Sequence, residues 1–129
     1  MLTFIRMPKN SGLYQLHISL SDTETVDVGR LGRYSFLKGD YIYTGSAKRG
    51  LIARIDRHKR NDKKLHWHID YLLGAKSAKI TKVELFDYSS DGECALNNSI
   101  EGKHIVNGFG SSDCRNGCKS HLVYLGNIS

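Results

Sequence analysis

The residues best suited to chemistry in this chain lie on a tyrosine-rich strand and on the helix that follows it. The strand carries Tyr41 and Tyr43, which lie two positions apart and therefore point to one face of a sheet. After a tight glycine turn, an amphipathic helix places Arg54 and His58 one turn apart. The tyrosine at the end of the strand is thereby aimed at an Arg/His pair, which is an arrangement suited to holding a phosphate group.

The helix is predicted from an apolar stripe. Leu51, Ile52 and Ile55 recur at helical spacing, so we expect all three to face the core, with the Arg/His pair beside them. Residues 61–62, Asn and Asp, are predicted to end the helix.

Positive charge is concentrated in the same part of the chain. Residues 46–64 contain eight Lys or Arg against two acids, a net charge of +6 that equals the net charge of the whole chain. Such localised charge is typical of a surface that binds a polyanion, although a solvated lysine-rich helix face has the same composition. The candidate nucleic-acid contacts in this segment are Lys48, Arg49, Arg57, Arg60, Lys63 and Lys64.

Bulk properties favour an ordinary globular protein. We expect the 129 residues to form one domain, residues 1–129, with 40% hydrophobic and 25% charged residues. No stretch is long and apolar enough to span a membrane, and the N-terminus lacks the architecture of a signal peptide. Three cysteines are too few for a disulfide scaffold. The chain is therefore expected to be cytoplasmic.

Hydrophobic periodicity predicts the remaining elements. Besides the tyrosine-rich strand that begins at Tyr41, the sequence pattern predicts strands at 12–20, 25–29, 79–86 and 121–125. Short helices are predicted at 66–74, which ends at a glycine, and at 93–101. The first two strands are expected to pair as a hairpin through the polar turn at 21–24. The expected fold is α+β, a small antiparallel sheet with helices packed against it.

Five sequence blocks, taken in order, resemble the GIY-YIG nuclease superfamily and within it the Uri-type endonucleases. The first tripeptide of that superfamily corresponds to residues 12–14, Gly-Leu-Tyr, and the second to residues 43–45, Tyr-Thr-Gly. Residues 15–42 separate the two tyrosines, a longer interval than in related nucleases, and an inserted hairpin strand at 25–28 accounts for it. The Uri-type blocks are 43–47 (Tyr-Thr-Gly-Ser-Ala), 54–58 (Arg-Ile-Asp-Arg-His), 66–72 (His-Trp-His-Ile-Asp-Tyr-Leu), 108–114 (Gly-Phe-Gly-Ser-Ser-Asp-Cys) and 120–122 (Ser-His-Leu).

The resemblance implies metal-dependent hydrolysis of DNA phosphodiester bonds. It implies that Tyr14 is the base that activates water, and that Tyr43 orients the phosphate or the water. A free phenol has a pKa near 10, so a nearby cation would have to lower the pKa of Tyr14. Arg54 offers a planar charged fork for phosphate oxygens, and His58 offers a second phosphate ligand or a proton relay.

A carboxylate on a later helix should hold Mg²⁺ or Mn²⁺, because these ions prefer oxygen ligands. Glu93 matches the helical glutamate of the superfamily in type and order, with Glu84 and Glu101 as competitors. Asp113 is a possible second acid near the site.

Two further groups of residues have alternative interpretations. His66 and Asp70 share a helix face, as a local His–Asp pair or as part of a DNA-contacting surface with His68. Structural zinc is a weaker possibility than buried free thiols; its ligands would be Cys114, Cys118 and His121, with Cys94 or His104 as the fourth.

Three functions are compatible with these features. The first is a GIY-YIG endonuclease acting in DNA repair or processing, since such domains sometimes occur beside a base-excision glycosylase. The second is a nucleic-acid-binding module that keeps the fold without turnover. The third is a structural domain whose charge serves solubility.

Overall fold

In a computed structural model of the protein, residues 12–47, 49–60, 67–86, 97, 100, 102, 109 and 120–126 are described. Across the described residues, six strands and two α-helices run in the order β1 (Gly12–Leu20), β2 (Glu24–Asp27), β3 (Arg33–Phe36), β4 (Gly39–Ala47), α1 (Leu51–Lys59), α2 (His68–Leu73), β5 (Ala78–Phe86) and β6 (Leu122–Gly126). Within these residues, no helix combines the length and apolarity needed to cross a membrane.

The main sheet has four antiparallel strands in the order β5-β1-β4-β6. Strand β1 lies between β4 and β5; residues 12–16 are all buried, and buried and half-buried positions alternate only from Leu16 to Leu20. Leu16 and Ile18 of β1 pack in one hydrophobic core with Val83 and Leu85 of β5. The α+β class with an antiparallel sheet is therefore confirmed.

The predicted hairpin between the first two strands is wrong in its pairing. Strand β2 pairs with β3 as a separate two-stranded sheet, while β1 pairs with β4 and β5. Alternation shows that a segment can form a strand, but it does not specify the partner. The residues between the two tripeptide motifs thus form a hairpin of their own, which returns the chain to β4 beside β1.

Helix α1 covers the core face of the sheet with a different stripe from the one predicted. Leu51, Ile55 and His58 are buried, whereas Ile52 is 44% exposed. The three buried residues have i, i+4 and i+7 spacing, so they share one face, and Ile52 lies off that face. The helix ends at Lys59, just before the predicted stop at residues 61–62, which lie outside the described residues.

The glycine turn predicted between the strand and the helix lies at Gly50 and not at Gly45. Strand β4 continues through Gly45 to Ala47, and the left-handed backbone lies at Gly50, where φ is +63°. Gly45 is directly opposite Tyr14, and a Cβ atom at Gly45 would lie 2.5 Å from the Tyr14 hydroxyl oxygen. Glycine is therefore needed at position 45 because a side chain there would collide with Tyr14, and not because the backbone turns.

A carboxylate links the small sheet to the start of β5. The backbone N–H of Ser77 donates a hydrogen bond to the Glu24 Oε2 at 2.6 Å. Hydrogen bonds from the Ser77 side chain and backbone hold the pKa of Glu24 below its ordinary value of 4.5.

Gly45→Ala should destabilise the protein by about 1–3 kcal/mol, because the new methyl group displaces the buried Tyr14 ring. Gly74→Ala is the matched control, since its backbone is right-handed and its nearest neighbours lie at 3.4 Å or more. The control should change the unfolding free energy by less than about 1 kcal/mol in urea denaturation. Equal effects of the two substitutions would contradict the packing described for Gly45.

Glu24→Gln should lower stability at neutral pH by less than about 1 kcal/mol, because the hydrogen-bonded carboxylate is only partly buried. The pKa of Glu24 is lowered on folding, so its stabilising contribution is present above pH 4.5 and disappears as the pH falls through the folded-state value. Urea denaturation of both proteins from neutral to acidic pH should therefore show the difference shrinking. A difference that grows on acidification would contradict the assigned hydrogen bonds.

Candidate active site

A buried hydrogen bond joins the sheet to helix α1 at the proposed active site. The Tyr14 hydroxyl oxygen and His58 Nε2 lie 2.8 Å apart. Each residue is only 2% exposed. The hydroxyl donates if Nε2 carries no proton and accepts if it does, so the pair can exchange one proton between oxygen and nitrogen.

The second motif tyrosine lies on the same sheet face as the first. Tyr14 is opposite Gly45 and Leu16 is opposite Tyr43, and directly opposed residues of an antiparallel pair share a face. The His58 ring contacts both phenols, with ring centroids 5.5 Å from Tyr14 and 6.4 Å from Tyr43. The structure thus brings Tyr14, Tyr43 and His58 together.

A third tyrosine on this face differs from the other two. The Tyr41 hydroxyl donates to the Leu37 carbonyl at 2.6 Å, and its ring packs on Tyr124. Burial raises the pKa of Tyr41 well above its ordinary value of 10.0, and the nearby Tyr124 adds to the rise. Tyr41 therefore stays protonated and packs as a core residue.

Arg54 is held between the end of β4 and the start of α2. One guanidinium N–H group donates to the Ser46 carbonyl, and the guanidinium carbon lies 5.0 Å from the centre of the Trp67 ring. Among the described residues no carboxylate pairs with Arg54. Its remaining N–H groups are thus available to an anion.

Arg57 is engaged differently. It donates two hydrogen bonds of 2.9 Å to the Asp70 carboxylate, which is fully buried, and its guanidinium carbon lies 4.4 Å from the Trp67 ring centre. The hydrogen bonds from Arg57 to Asp70 raise the pKa of Arg57 further above its ordinary value. Asp70 also accepts the backbone N–H of Trp67, which fixes the first turn of α2. These two arginines look equivalent in sequence, yet Arg57 neutralises a buried acid.

The other predicted nucleic-acid contacts are only partly described. Arg49 and Arg60 are exposed at the two ends of α1, consistent with a surface role. The ring of His68 packs 5.6 Å from that of Phe109, against the core rather than in open solvent. Lys48, Lys63, Lys64 and His66 lie outside the described residues.

One competitor for the metal ligand is excluded from the site. Glu84 is opposite Gln15, whereas Tyr14 is opposite Leu85, so Glu84 lies on the other face of the sheet. There its carboxylate accepts from His17 at 2.6 Å and lies 3.6 Å from the Lys82 ammonium. The remaining acids, Glu93, Glu101 and Asp113, lie outside the described residues.

Most of the residues predicted as zinc ligands lie outside the described part of the chain. Cys94, Cys114, Cys118 and His104 lie outside the described part, and His121 is 1% exposed. The backbone of His121 joins β4 to Phe109 through hydrogen bonds of 3.0 Å and 2.8 Å. Within the described residues, no group of three or more His, Cys, Asp or Glu could hold a metal ion.

Sequence reasoning missed the part that Trp67 plays. It is the chain's one tryptophan, and it precedes by three positions the acid that binds Arg57. That spacing is typical of a residue whose N–H is capped by a carboxylate in the first helical turn, which was the available signal. The packing of two arginines on its ring depends on tertiary structure and left no such signal.

Comparison with protein families gives one match. The model of the family described as Domain of unknown function DUF123 matches residues 13–129, and the chain belongs to that family. No curated protein matches the chain. No solved structure matches it either.

Arg57→Leu should destabilise the protein by about 3–5 kcal/mol, because it leaves the fully buried Asp70 carboxylate without its cation. Thermal and urea denaturation would measure the loss. Arg60→Leu, which alters an exposed arginine at the end of the same helix, should change stability by less than about 0.5 kcal/mol.

The double variant Arg57→Leu/Asp70→Leu separates a lost charge pair from lost packing. It should recover most of the stability, because no unpaired charge stays buried. A double variant as unstable as Arg57→Leu alone would contradict the pairing argument.

Proposed function

We propose that this member of the DUF123 family is a metal-dependent endonuclease of the GIY-YIG type that hydrolyses DNA phosphodiester bonds. The observation that carries the proposal is the 2.8 Å hydrogen bond between Tyr14 and His58, with Tyr43 against the same imidazole. A phenol joined to an imidazole provides a route for the proton that would otherwise keep the phenol from acting as a base.

In the proposed reaction, Tyr14 is the base, and it loses its own proton before it accepts one from water. Its hydroxyl proton passes to His58 Nε2, and the phenolate oxygen then takes a proton from the attacking water. The water oxygen forms a bond to phosphorus while the bond from phosphorus to the leaving oxygen breaks, and the leaving oxygen takes a proton from solvent. The imidazolium formed at His58 keeps positive charge next to the phenolate, which favours its ionised form.

Arg54 supplies the fixed positive charge for the phosphate in this proposal. Its guanidinium is anchored by the Ser46 carbonyl and the Trp67 ring, and no described carboxylate neutralises it. An anchored donor needs little reorganisation when negative charge develops on the phosphate oxygens. The exposed Arg49 and Arg60 extend positive charge along α1, where flanking DNA phosphates would lie.

The described residues do not by themselves form a metal site. Among the described acids, Asp70 already accepts hydrogen bonds from Arg57 and from the Trp67 N–H, and Glu84 faces away. A bound Mg²⁺ or Mn²⁺ would stabilise negative charge on the phosphate. Glu93 is kept as its proposed carboxylate ligand.

The proposed biological setting is DNA repair or processing. No base-reading motif is evident in the sequence, so recognition of DNA structure or damage is proposed rather than of a long sequence. A base-excision glycosylase is a proposed partner by family resemblance alone.

The second candidate is a nucleic-acid-binding module without turnover. The burial of both Tyr14 and His58 favours it, because a substrate water must reach the phenol oxygen. Under this alternative the hydrogen bond between them stabilises the core and only the charged surface is functional.

Tyr14→Phe should lower the rate of Mg²⁺- or Mn²⁺-dependent cleavage by a factor of about 10² or more, because the phenol oxygen is the proposed base. Cleavage is measured on supercoiled plasmid and branched DNA with each metal and with EDTA. Tyr41→Phe is the matched control, since it removes another hydrogen-bonded hydroxyl from the same buried face.

The control protein should cleave at a rate near that of the wild type. Wild-type protein that binds DNA in a salt-dependent way but never cleaves it would favour the binding module. A Tyr14→Phe protein that cleaves as fast as the Tyr41→Phe protein would show that Tyr14 takes no part in the chemistry.

A further inference from the structure

The single tryptophan lies between the two arginines that sequence alone does not distinguish. Trp67 contacts Arg57 at 4.4 Å and Arg54 at 5.0 Å, measured from each guanidinium carbon to the ring centre. Both distances are within the range of attractive cation–π contacts. Its ring also lies 5.7 Å from the His58 ring, so it is adjacent to the Tyr14–His58 pair.

The backbone of Trp67 is fixed independently of its ring. Its N–H donates to the Asp70 Oδ2 at 2.9 Å, and that carboxylate is fully buried and also accepts from Arg57. The Trp67 backbone is therefore held by the first turn of α2, and its ring is held by packing against the Arg57 guanidinium and the His58 ring. A ring fixed in this way can hold a flexible arginine that packs on it.

The two arginines that pack on the indole differ in how far their positive charge is neutralised. The charge of Arg57 is balanced by Asp70, so this pair contributes little net field. Arg54 has a backbone carbonyl as its described hydrogen-bond partner, which leaves its full positive charge. The cluster thus offers one unneutralised and oriented guanidinium beside the imidazole.

We propose that Trp67 is the positioning residue that holds the Arg54 guanidinium for a phosphodiester oxyanion of the bound strand. The inference rests on the proposed function, since it assigns the phosphate of that same site to Arg54. The Ser46 carbonyl fixes one edge of the guanidinium and the indole fixes its plane. The fork of the remaining N–H groups then faces the anion without further ordering.

The first experiment needs no DNA. In free protein, the Arg54 Nε–H resonance should be shifted upfield by the indole ring current, and Trp67→Leu should abolish that shift. Trp67→Phe, which keeps a smaller aromatic face, should retain part of it. An unshifted resonance in folded wild-type protein would overturn the assignment.

The second experiment is a double-mutant cycle on binding of a short fluorescein-labelled duplex in EDTA, where no cleavage occurs. Trp67→Leu should weaken binding about three- to tenfold. Arg54→Gln should weaken it and reduce the salt slope by about 1. If Trp67 acts through Arg54, adding Trp67→Leu to Arg54→Gln should have no further effect. Additive effects would mean a general structural role and would overturn the proposal.

Two controls separate folding from positioning. Trp67→Phe should bind DNA more tightly than Trp67→Leu and melt near the wild-type temperature. Lys82→Gln changes a cation on the opposite sheet face, and its effect should add to that of Trp67→Leu. Wild-type protein that does not bind DNA would count against the proposed function and against phosphate as the ligand. The resonance shift would still decide whether Trp67 holds Arg54.

Discussion

The hydrogen bond between the Tyr14 hydroxyl and His58 Nε2 joins the sheet to the helix that covers it, and the residues on both sides are arranged around it. Gly45 leaves room for the phenol ring on the neighbouring strand. Leu51 and Ile55 place the buried face of α1 so that His58, one turn further, meets that ring. Burying two polar groups is unfavourable unless they satisfy each other, so the pair constrains both elements.

Charge near this pair is divided between two arginines that are three positions apart on one helix. Arg57 pairs with the buried Asp70, and this pair fixes the first turn of α2 against α1. Arg54 retains its charge beside the Trp67 ring. A structural role and a proposed phosphate-binding role thus lie side by side, and the structural pair orients the indole on which the other arginine packs.

Strands β1, β5 and β6 and helix α1 were predictable because their signals are local, whereas β3 was not predicted. Alternation identified β1, β5 and β6, and apolar spacing identified α1. Strand pairing was not predictable, because β2 has the same local pattern whether it pairs with β1 or with β3. The role of Gly45 was not predictable, because sequence shows that a side chain is missing, but not which neighbouring ring needs the space. Within the candidate site, the sequence motifs identified Tyr14, Tyr43, Arg54 and His58. The different partners of Arg54 and Arg57 were not predictable, because they depend on the position of Asp70, which follows only from the packing of α2.

The proposed function requires the buried phenol–imidazole pair to lie beside a phosphodiester and the metal ion that acts on it. Anomalous scattering from crystals grown with Mn²⁺ and a non-cleavable phosphorothioate DNA would show whether it does. We expect a manganese peak beside the Tyr14 hydroxyl, with the Glu93 carboxylate among its ligands and a phosphate oxygen on Arg54. Manganese bound on the opposite sheet face near Glu84, or DNA bound away from Tyr14, would contradict it.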